Sequence, residues 1–257
     1  MAIKFLTDYP AAFISDEKIL VIAELHLGLE YEIYKSGISI PPQREKFLET
    51  LEKLLEITKA KKLVIVGDIK HKVPGSTIRE DKEIPRFLEQ ISSKVKTIII
   101  KGNHDDRIEE ILPKNIKIYS SRGFRIKKYG FFHGHAWPSK NLMKCDFLFM
   151  GHIHPAVEFR DGFGHRNSEK VWLKSRMDTE KMKKKFKLTQ TGKLNIIVIP
   201  TFNNILGGTA VNRVAKNEQF SPLLANEVID LNSAKIYLLD GTYLGILENI
   251  KKVKSRF

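Results

Sequence analysis

Five short apolar runs in the first 150 residues of the chain predict buried β-strands. The runs are rich in β-branched or aromatic residues and too short for helices, a pattern typical of strands covered on both faces. They comprise residues 19–23, 63–66, 97–100, 130–132 and 146–150. We therefore expect five strands in this half of the chain.

Two segments between these runs predict amphipathic helices. In residues 41–61, apolar side chains recur at helical spacing behind a Pro-Pro start, and residues 80–93 repeat the pattern. The apolar positions are Phe47, Leu51, Leu54 and Leu55 in the first segment and Ile84, Phe87, Leu88 and Ile91 in the second. Because strands and helices alternate, the order predicts a parallel sheet with right-handed crossovers.

The second half of the chain, residues 156–250, is richer in predicted strands. Six strand-like segments are joined by tight turns: residues 157–159, 171–174, 194–199, 227–230, 235–239 and 243–247. Asp240-Gly241, between the last two, predicts a hairpin. Because no linker separates the halves, we expect one α/β domain over residues 1–257. Two stacked mixed β-sheets flanked by helices would form its four layers.

The composition excludes several classes of protein. The 257 residues are 42% hydrophobic and 29% charged, which allows a substantial core. The one cysteine, Cys145, excludes a disulfide framework. No apolar run reaches the roughly 18 residues of a membrane span, and the N-terminus lacks a signal-peptide pattern. We therefore expect a cytoplasmic protein without a membrane partner.

The net charge of +14 bears on function. A strongly basic balance favours polyanionic partners such as nucleic acid or phosphorylated molecules. The alternative is a Lys/Glu-rich composition typical of thermophile proteins, which explains the amount of charge but not its sign. Residues 169–187 hold eight lysines and arginines. This basic segment is expected to be either a binding surface or a solvated loop or helix.

Each of the five apolar runs is followed by side chains that can bind metal ions. The clusters are E-L-H from Glu24, G-D-I-K-H from Gly67, G-N-H-D from Gly102, H-G-H from His133 and G-H-I-H from Gly151. Seven of the eight histidines lie in them. Because ligands of open α/β sheets bind beyond the carboxyl ends of the strands, we expect these side chains to converge.

Such a set of side chains predicts bound metal. Several carboxylates and imidazoles are costly to desolvate together, and divalent cations neutralise the former and bind the latter. Nitrogen and oxygen donors without thiolate suit Mn, Fe, Zn or Co better than Mg, and their number exceeds the need of one ion. Any one cluster has an ordinary explanation, such as Asp68 capping a helix. The ordered set of five predicts a two-metal site.

The order of these clusters resembles the calcineurin-like metallophosphoesterase superfamily, whose signature is D-x-H, G-D, G-N-H-[DE], a lone His and G-H-x-H. The matching motifs lie within residues 24–154. H-L-G, G-D-I-K-H, G-H-I-H-P-A-V and P-T-F-N-N-I-L-G-G-T-A-V-N (residues 200–212) resemble an archaeal branch. That branch is related to ligase-associated phosphodiesterases and double-strand-break repair nucleases. The resemblance implies a four-layer α/β/β/α sandwich.

The resemblance also implies two metal sites that share the carboxylate of Asp68. Site one would comprise Glu24, His26, Asp68 and His154. Site two would comprise Asp68, Asn103, His133 and His152. Two divalent ions would bind, with manganese favoured and Fe, Zn, Ni or Co as alternatives. His104 would stabilise or protonate the leaving oxygen, and Asp105 would orient His104. His71 and His135 would contact substrate or support neighbouring groups.

Glu24 departs from the superfamily pattern, which begins its first motif with Asp. Its side chain is one methylene longer, so the carboxylate must fold back or displace the ion outward. Site one would then be weaker or select a different ion. The alternative interpretation is that the site is partly degenerate and the protein is a non-catalytic scaffold. His71 also replaces a commoner Asp, so the resemblance gives less support to a role for His71.

The expected reaction is in-line displacement at phosphorus by metal-activated hydroxide, with assistance from His104. A phosphodiester of DNA, RNA or a nucleotide is the favoured substrate because of the net charge and the basic segment. A phosphomonoesterase acting on a small metabolite or phosphoprotein would use the same kind of site. The motifs do not choose between these substrates, and they do not indicate an oligomeric state.

Overall fold

The structure is a computed structural model that describes residues 2–213 and 221–252. In this part of the chain the first sheet has six strands, in the spatial order β1 to β6. They are β1 (Ile3–Phe5), β2 (Ala12–Ile14), β3 (Ile19–Ile22), β4 (Lys62–Val66), β5 (Lys96–Ile100) and β6 (Lys117–Tyr119). Strands β1 to β3 pair antiparallel, whereas β3 to β6 pair parallel, so the sheet is mixed.

The second sheet is also mixed and has nine strands among the described residues. They are β7 (Phe124–Ile126), β8 (Tyr129–Phe132), β9 (Phe147–Met150), β10 (Pro155–Arg160), β11 (Arg166–Arg176), β12 (Asn195–Val198), β13 (Thr209–Ala210), β14 (Lys235–Leu238) and β15 (Tyr243–Ile246). The spatial order is β13-β10-β11-β12-β9-β8-β7, and β14 pairs with both β11 and β15. The hairpin predicted at Asp240-Gly241 is confirmed as the turn between β14 and β15.

Six α-helices lie in the described residues: α1 (Leu29–Lys35), α2 (Arg44–Thr58), α3 (Glu80–Lys94), α4 (Thr179–Phe186), α5 (Pro222–Ala225) and α6 (Leu247–Lys252). Both long helices, α2 and α3, match the predicted amphipathic segments. The start of α4 is capped by Asp178, whose carboxylate accepts hydrogen bonds from the backbone N–H groups of Glu180 and Lys181. Such a cap satisfies donors that the first turn leaves free.

Three apolar cores arrange these elements in four layers. The first core joins α2 and α3 to one face of the first sheet and includes Phe47, Leu51, Ile84, Phe87 and Leu20. The second lies between the sheets and includes Val21, Val64, Ile98, Phe131 and Phe149. The third joins the far face of the second sheet to α4, α5 and α6, with Leu148, Ile196, Met182, Leu223 and Leu247. The order of helices, sheet, sheet and helices confirms the predicted fold class.

In the second half of the chain the strand predicted at residues 227–230 is wrong, whereas the strand predicted at residues 171–174 is confirmed and is longer than expected. Residues 227–230 form a turn with a single bridge between Ile229 and Met177. They do not form a strand, because the N–H groups of Val228 and Ile229 donate to the carbonyl of Leu223 in α5. Part of the basic segment, residues 169–176, lies within β11 and is not a loop or helix. Val171 and Leu173 are buried in the third core and Trp172 is buried in the second, so successive side chains face opposite sides of the sheet. This alternating burial stabilises the strand.

The five predicted strands of the first half are present as β3, β4, β5, β8 and β9. The first three are parallel neighbours in one sheet, and the last two are parallel neighbours in the other. Their carboxyl ends therefore bring the five metal-capable clusters to one edge of the sandwich. Within the described residues, no helix is long and apolar enough to cross a membrane. The cytoplasmic location stays a prediction.

Candidate metal centre

Backbone hydrogen bonds join four of the loops that follow the five strands, in two pairs. The N–H of Glu24 donates to the carbonyl of Gly67, and the N–H of His26 donates to that of Asp68, at 3.1 and 2.9 Å. In the second sheet, the N–H of Gly151 donates to the carbonyl of His133 at 3.0 Å. The two clusters of each pair are thus fixed relative to each other by main chain.

Glu24 lies at the centre of the site and is fully buried. Its Oε2 is 3.1 Å from Nε2 of His26 and 2.7 Å from Nε2 of His154. Its Oε1 is 3.1 Å from Nε2 of His133 and accepts the backbone N–H of His152 at 2.5 Å. Burial alone would raise the pKa of Glu24, but the neighbouring His154 and His133 hold it well below its usual range.

Asp68 is the second buried carboxylate of the centre. Its Oδ1 accepts the backbone N–H of His104 at 2.8 Å, which leaves Oδ2 free to face the histidines. Oδ2 lies 3.4 Å from Nε2 of His133 and 3.8 Å from Nε2 of His26. Gly102 is required beside it, because a Cβ at that position would overlap the Asp68 carboxylate.

These donors fit a pair of divalent ions. Glu24, His26, Asp68 and His154 each offer a ligand atom within 4.8 Å of the others, and so do Asp68, His133 and His152. The two groups share Asp68, as the resemblance implies. Carboxylate and imidazole donors without thiolate suit first-row divalent metals.

The charge of the centre also fits bound cations. Burial alone would lower the pKa of His133, but Glu24 and Asp68 raise it to about 10, so without metal a proton offsets the carboxylates. The pKa of His152 moves the other way, to about 4, because of its burial and the nearby His133. Positive charge therefore stabilises the buried carboxylates of the centre, and divalent ions could supply that charge in place of protons.

The backbone around the centre is strained. Five residues proposed as ligands have positive φ angles, a region that non-glycine residues rarely adopt: Glu24, 63°; His26, 44°; Asp68, 50°; His152, 69°; and His154, 48°. Each such residue costs about 1–3 kcal/mol, and strain of this kind is typical of functional sites. The rest of the fold must therefore hold these side chains in converging directions.

His104 is positioned by a backbone carbonyl rather than by Asp105. Its Nδ1 lies 2.6 Å from the carbonyl oxygen of His71, so Nδ1 carries the proton and donates it to this bond. The side chain is half-buried, and this bond leaves Nε2 as the nitrogen that could act on a substrate.

The carboxylate of Asp105, which is expected to orient His104, contacts the main chain of two loops. That carboxylate accepts the backbone N–H groups of Ile69 and Gly102, both at 2.8 Å, and more weakly that of Lys70 at 3.3 Å. Burial and Asp68 raise the pKa of Asp105 to about 6. Asp105 therefore joins the loops after β4 and β5, and acts on His104 only through the main chain.

His71 and His135 each pair with a proposed ligand. Nδ1 of His71 lies 3.4 Å from Nδ1 of His26, and Nδ1 of His135 lies 2.7 Å from Nδ1 of His133. Partners at Nδ1 are typical of metal-binding histidines, because they fix the tautomer that presents Nε2 to the ion. Burial and the charges of His26 and His104 lower the pKa of His71 to about 4, so this ring is a neutral partner.

Asn103 lies in the same loop as His104, between Gly102 and Asp105, and is exposed. The second donor group comprises Asp68, His133 and His152. Asn103 stays a proposed further oxygen donor.

Sequence reasoning gave no role to the residues that support Glu24 from the second sheet. The Thr201 hydroxyl donates to the Glu24 carbonyl at 2.9 Å, and Asn203 Nδ2 donates to the Leu25 carbonyl at 2.8 Å. Lys170 Nζ donates to the carbonyls of Thr201 and Asn203 at 2.9 and 2.7 Å. The signal was present in P-T-F-N-N, where two buried polar residues stand in a mostly uncharged stretch.

A second support was also missed in the loop that carries His71. Lys70 is buried and donates to the carbonyls of Lys72 and Gly75. Glu80, at the start of α3, accepts the N–H groups of His71, Lys72 and Thr77 at 3.0, 2.8 and 2.7 Å. No sequence signal marked this pair, because both residue types are usually exposed.

Several lysines of the basic segment are engaged by the chain itself. Lys174 Nζ lies 4.1 Å from the ring centres of Phe5 and Tyr237, and Lys185 Nζ lies 3.6 Å from that of Trp137. Lys181 donates to the carbonyls of Asn226 and Glu227 at 3.2 and 2.9 Å. Together with the half-buried Lys170, these side chains support the second sheet and its helices.

Comparison with solved structures shows the same fold in a nuclease. Pseudomonas putida nuclease MPE superposes with a TM-score of 0.54 and 16% sequence identity, covering 92% of this chain and 90% of that one. The E. coli phosphoesterase YfcE gives a TM-score of 0.41 and 15% identity, covering 88% of this chain and 96% of that one.

A search of the curated proteins found no match. The family model for calcineurin-like phosphoesterases, in contrast, matches residues 17–198, which is more than half of the chain. This stretch contains all five metal-capable clusters. The chain therefore belongs to the calcineurin-like phosphoesterases and is a metal-dependent hydrolase of phosphate esters.

Proposed function

We propose that the protein hydrolyses phosphodiester bonds of nucleic acid or nucleotides, using two divalent metal ions. The observation that carries this proposal is the pair of buried carboxylates, Glu24 and Asp68, enclosed by histidines from three different loops. Manganese is the favoured metal, with Fe, Zn, Ni or Co as alternatives. When bound, such ions supply positive charge that acidifies water and offsets the charge of the phosphate.

The protein's own residues would hold the ions and assist the leaving group. Site one comprises Glu24, His26, Asp68 and His154, and site two comprises Asp68, Asn103, His133 and His152. His71 and His135 fix the tautomers of His26 and His133. His104, anchored through its Nδ1–H to the carbonyl of His71, would in its doubly protonated form donate the Nε2 proton to the departing oxygen and be left neutral with the proton on Nδ1.

The accessibility of the centre supports a substrate larger than a small metabolite. Small-molecule sites usually enclose most of their ligand, whereas His104, His152 and His154 are partly exposed, His154 by 17%, and Asn103 is exposed. A polymer could reach the centre from this exposed side. The net charge of +14 and the structural likeness to a nuclease point the same way.

The test compares three classes of substrate with manganese added. Rates would be measured for bis(p-nitrophenyl) phosphate, p-nitrophenyl phosphate, and single-stranded DNA and RNA, with Asp68→Asn as the inactive control. The proposal expects faster turnover of the diester than of the monoester, and cleavage of at least one polynucleotide. Faster turnover of the monoester would instead indicate a phosphomonoesterase. Two bound ions without turnover of any substrate would indicate a non-catalytic scaffold.

A further inference from the structure

The two oxygens of Glu24 face different halves of the metal centre. Oε2 lies beside the Nε2 atoms of His26 and His154, which belong to site one, at 3.1 and 2.7 Å. Oε1 lies 3.1 Å from Nε2 of His133, which belongs to site two. Since Oε1 also accepts the N–H of His152, it is held on the site-two side.

Asp68 faces both halves in a different way. Its Oδ1 accepts the N–H of His104, and its Oδ2 is the oxygen that lies near both Nε2 of His26 and Nε2 of His133, at 3.8 and 3.4 Å. Asp68 therefore offers one oxygen to both sites, whereas Glu24 offers a separate oxygen to each.

The surrounding chain is built for the longer reach of Glu24. Its backbone is fixed by the N–H bond to Gly67 and by the Thr201 hydroxyl on its carbonyl. On the opposite side, position 151 is glycine, and a Cβ there would lie 2.5 Å from Glu24 Oε1. The second sheet thus leaves space for Oε1 of Glu24. An aspartate at position 24 is shorter by one methylene, so its oxygen would not reach as far into this space.

We propose that Glu24 is a second bridging ligand, with Oε2 on the ion of site one and Oε1 on the ion of site two. This inference rests on the proposed two-metal centre and changes the role of Glu24 from a ligand of site one alone. The two ions would then share two carboxylates, Glu24 through both oxygens and Asp68 through one. Loss of Glu24 should therefore weaken both ions, whereas loss of a histidine should weaken only one.

The test isolates the site-two ion and asks whether Glu24 holds it. His154→Gln removes a site-one histidine, and His26→Gln gives an independent background in which site one is disabled. In each background, the affinity for manganese(II) alone would be measured by titration calorimetry on the full chain after chelator treatment. Adding Glu24→Gln should weaken the remaining ion on the order of 10-fold or more, the scale of losses when groups supporting a metal are changed.

Glu24→Asp in the same backgrounds separates ligation from simple charge. Aspartate keeps the negative charge but is too short to place an oxygen on site two, so it should weaken the remaining ion about as much as Gln does. If Glu24→Asp keeps full manganese affinity and Glu24→Gln reduces it, Glu24 acts on the ion through its charge and not as a ligand. That result would overturn the bridge. Unchanged affinity with Gln would overturn it as well. Glu32→Gln, at a partly exposed position on α1, is the matched control and should change nothing.

This outcome is distinguishable from failure of the proposed function, because binding is measured without turnover. Wild-type protein that binds two ions in the bridged pattern but cleaves no phosphate ester would refute the proposed reaction and leave the bridge standing. Wild-type protein that cleaves diesters while Glu24→Gln leaves the site-two ion unaffected would refute only the bridge.

Discussion

His104 shows how a single main-chain contact sets the chemistry of a side chain. Its Nδ1–H is committed to the carbonyl of His71, so any proton given to a substrate must come from Nε2. The ring centre lies 4.8 Å from that of His26, a proposed ligand, which places the donor next to the metal centre without using it as a ligand.

We predict that His104→Ala keeps its metal and loses turnover. General-acid assistance contributes roughly 100- to 10,000-fold, which is about 3–5 kcal/mol of barrier. The loss should be largest for poor leaving groups and smaller for nitrophenolate esters, which need little protonation. Steady-state kinetics on both kinds of ester, with metal content measured in parallel, check this. Equal losses on both would argue for a purely electrostatic or positional role.

Asp68 is the residue on which both proposed sites depend. Asp68→Asn keeps the shape but removes the charge shared by the two ions, and we expect a fall in activity of more than about 100-fold with loss of both metals. Elemental analysis and diester turnover of this variant would be compared with His154→Gln, which should lose less. A variant that kept both ions and most of its activity would contradict the two-metal assignment.

At the scale of elements, the loops of one sheet are held by the other. The segment after β12 reaches from the second sheet to the loop of Glu24, where Thr201 and Asn203 bond to its carbonyls. Lys170 on β11 anchors that segment through the carbonyls of Thr201 and Asn203. The position of Glu24 therefore depends on the half-buried ammonium group of Lys170, which belongs to a different strand.

Lys170→Met is predicted to destabilise the fold by about 2 kcal/mol, since it leaves carbonyl acceptors of a charged donor unsatisfied. It should also weaken manganese binding, because the loop of Glu24 loses its anchor. Lys174→Met is the matched control on the same strand, since Lys174 covers aromatic rings away from the centre and should leave metal affinity unchanged. Chemical denaturation and calorimetry measure the two effects. Equal metal affinity in both variants would show that Lys170 does not position Glu24.

The elements that the sequence predicted well are those with strong local patterns. Strands β3, β4 and β5 are continuous apolar runs, and α3 has a clear apolar stripe, so periodicity alone located them. Strands β1 and β2 were not predicted, because each has only three residues, too few to show a hydrophobic pattern. They are defined by their pairing with each other in the sheet. Residues 227–230 show the reverse: a strand-like pattern was overridden by the turn of α5.

The metal-capable side chains were predictable because each follows a strand end. The residues that hold them in place through hydrogen bonds were not predictable. Which carbonyl would bind His104, or which lysine would anchor Thr201, depends on pairs far apart in sequence, such as Lys170 with Asn203. The direction of the Glu24 oxygens likewise depends on the second sheet, where the N–H of His152 lies. Motif spacing contains none of this information.

At the scale of the whole molecule, the core between the sheets draws on both halves of the chain. Val64 and Ile98 come from the first half, whereas Trp172 and Ile197 come from the second. The metal centre joins the two sheets, since Glu24 and Asp68 follow strands of the first sheet and His133 and His152 follow strands of the second. We therefore propose that the chain is one domain in which folding and metal binding are coupled.

The coupling gives a prediction for the metal-free protein. A ligand that binds only the folded state stabilises it by about 2.7 kcal/mol at a free concentration 100-fold above its dissociation constant. For a domain of this size, one such ion should raise the melting temperature by about 5–10 °C. Scanning calorimetry with manganese and with chelator should show a single transition in both cases, shifted upward by the metal. Two transitions, only one of them metal-sensitive, would show that the halves unfold independently and would contradict the single domain. In Asp68→Asn, which lacks the shared carboxylate, the shift should disappear while the single transition remains.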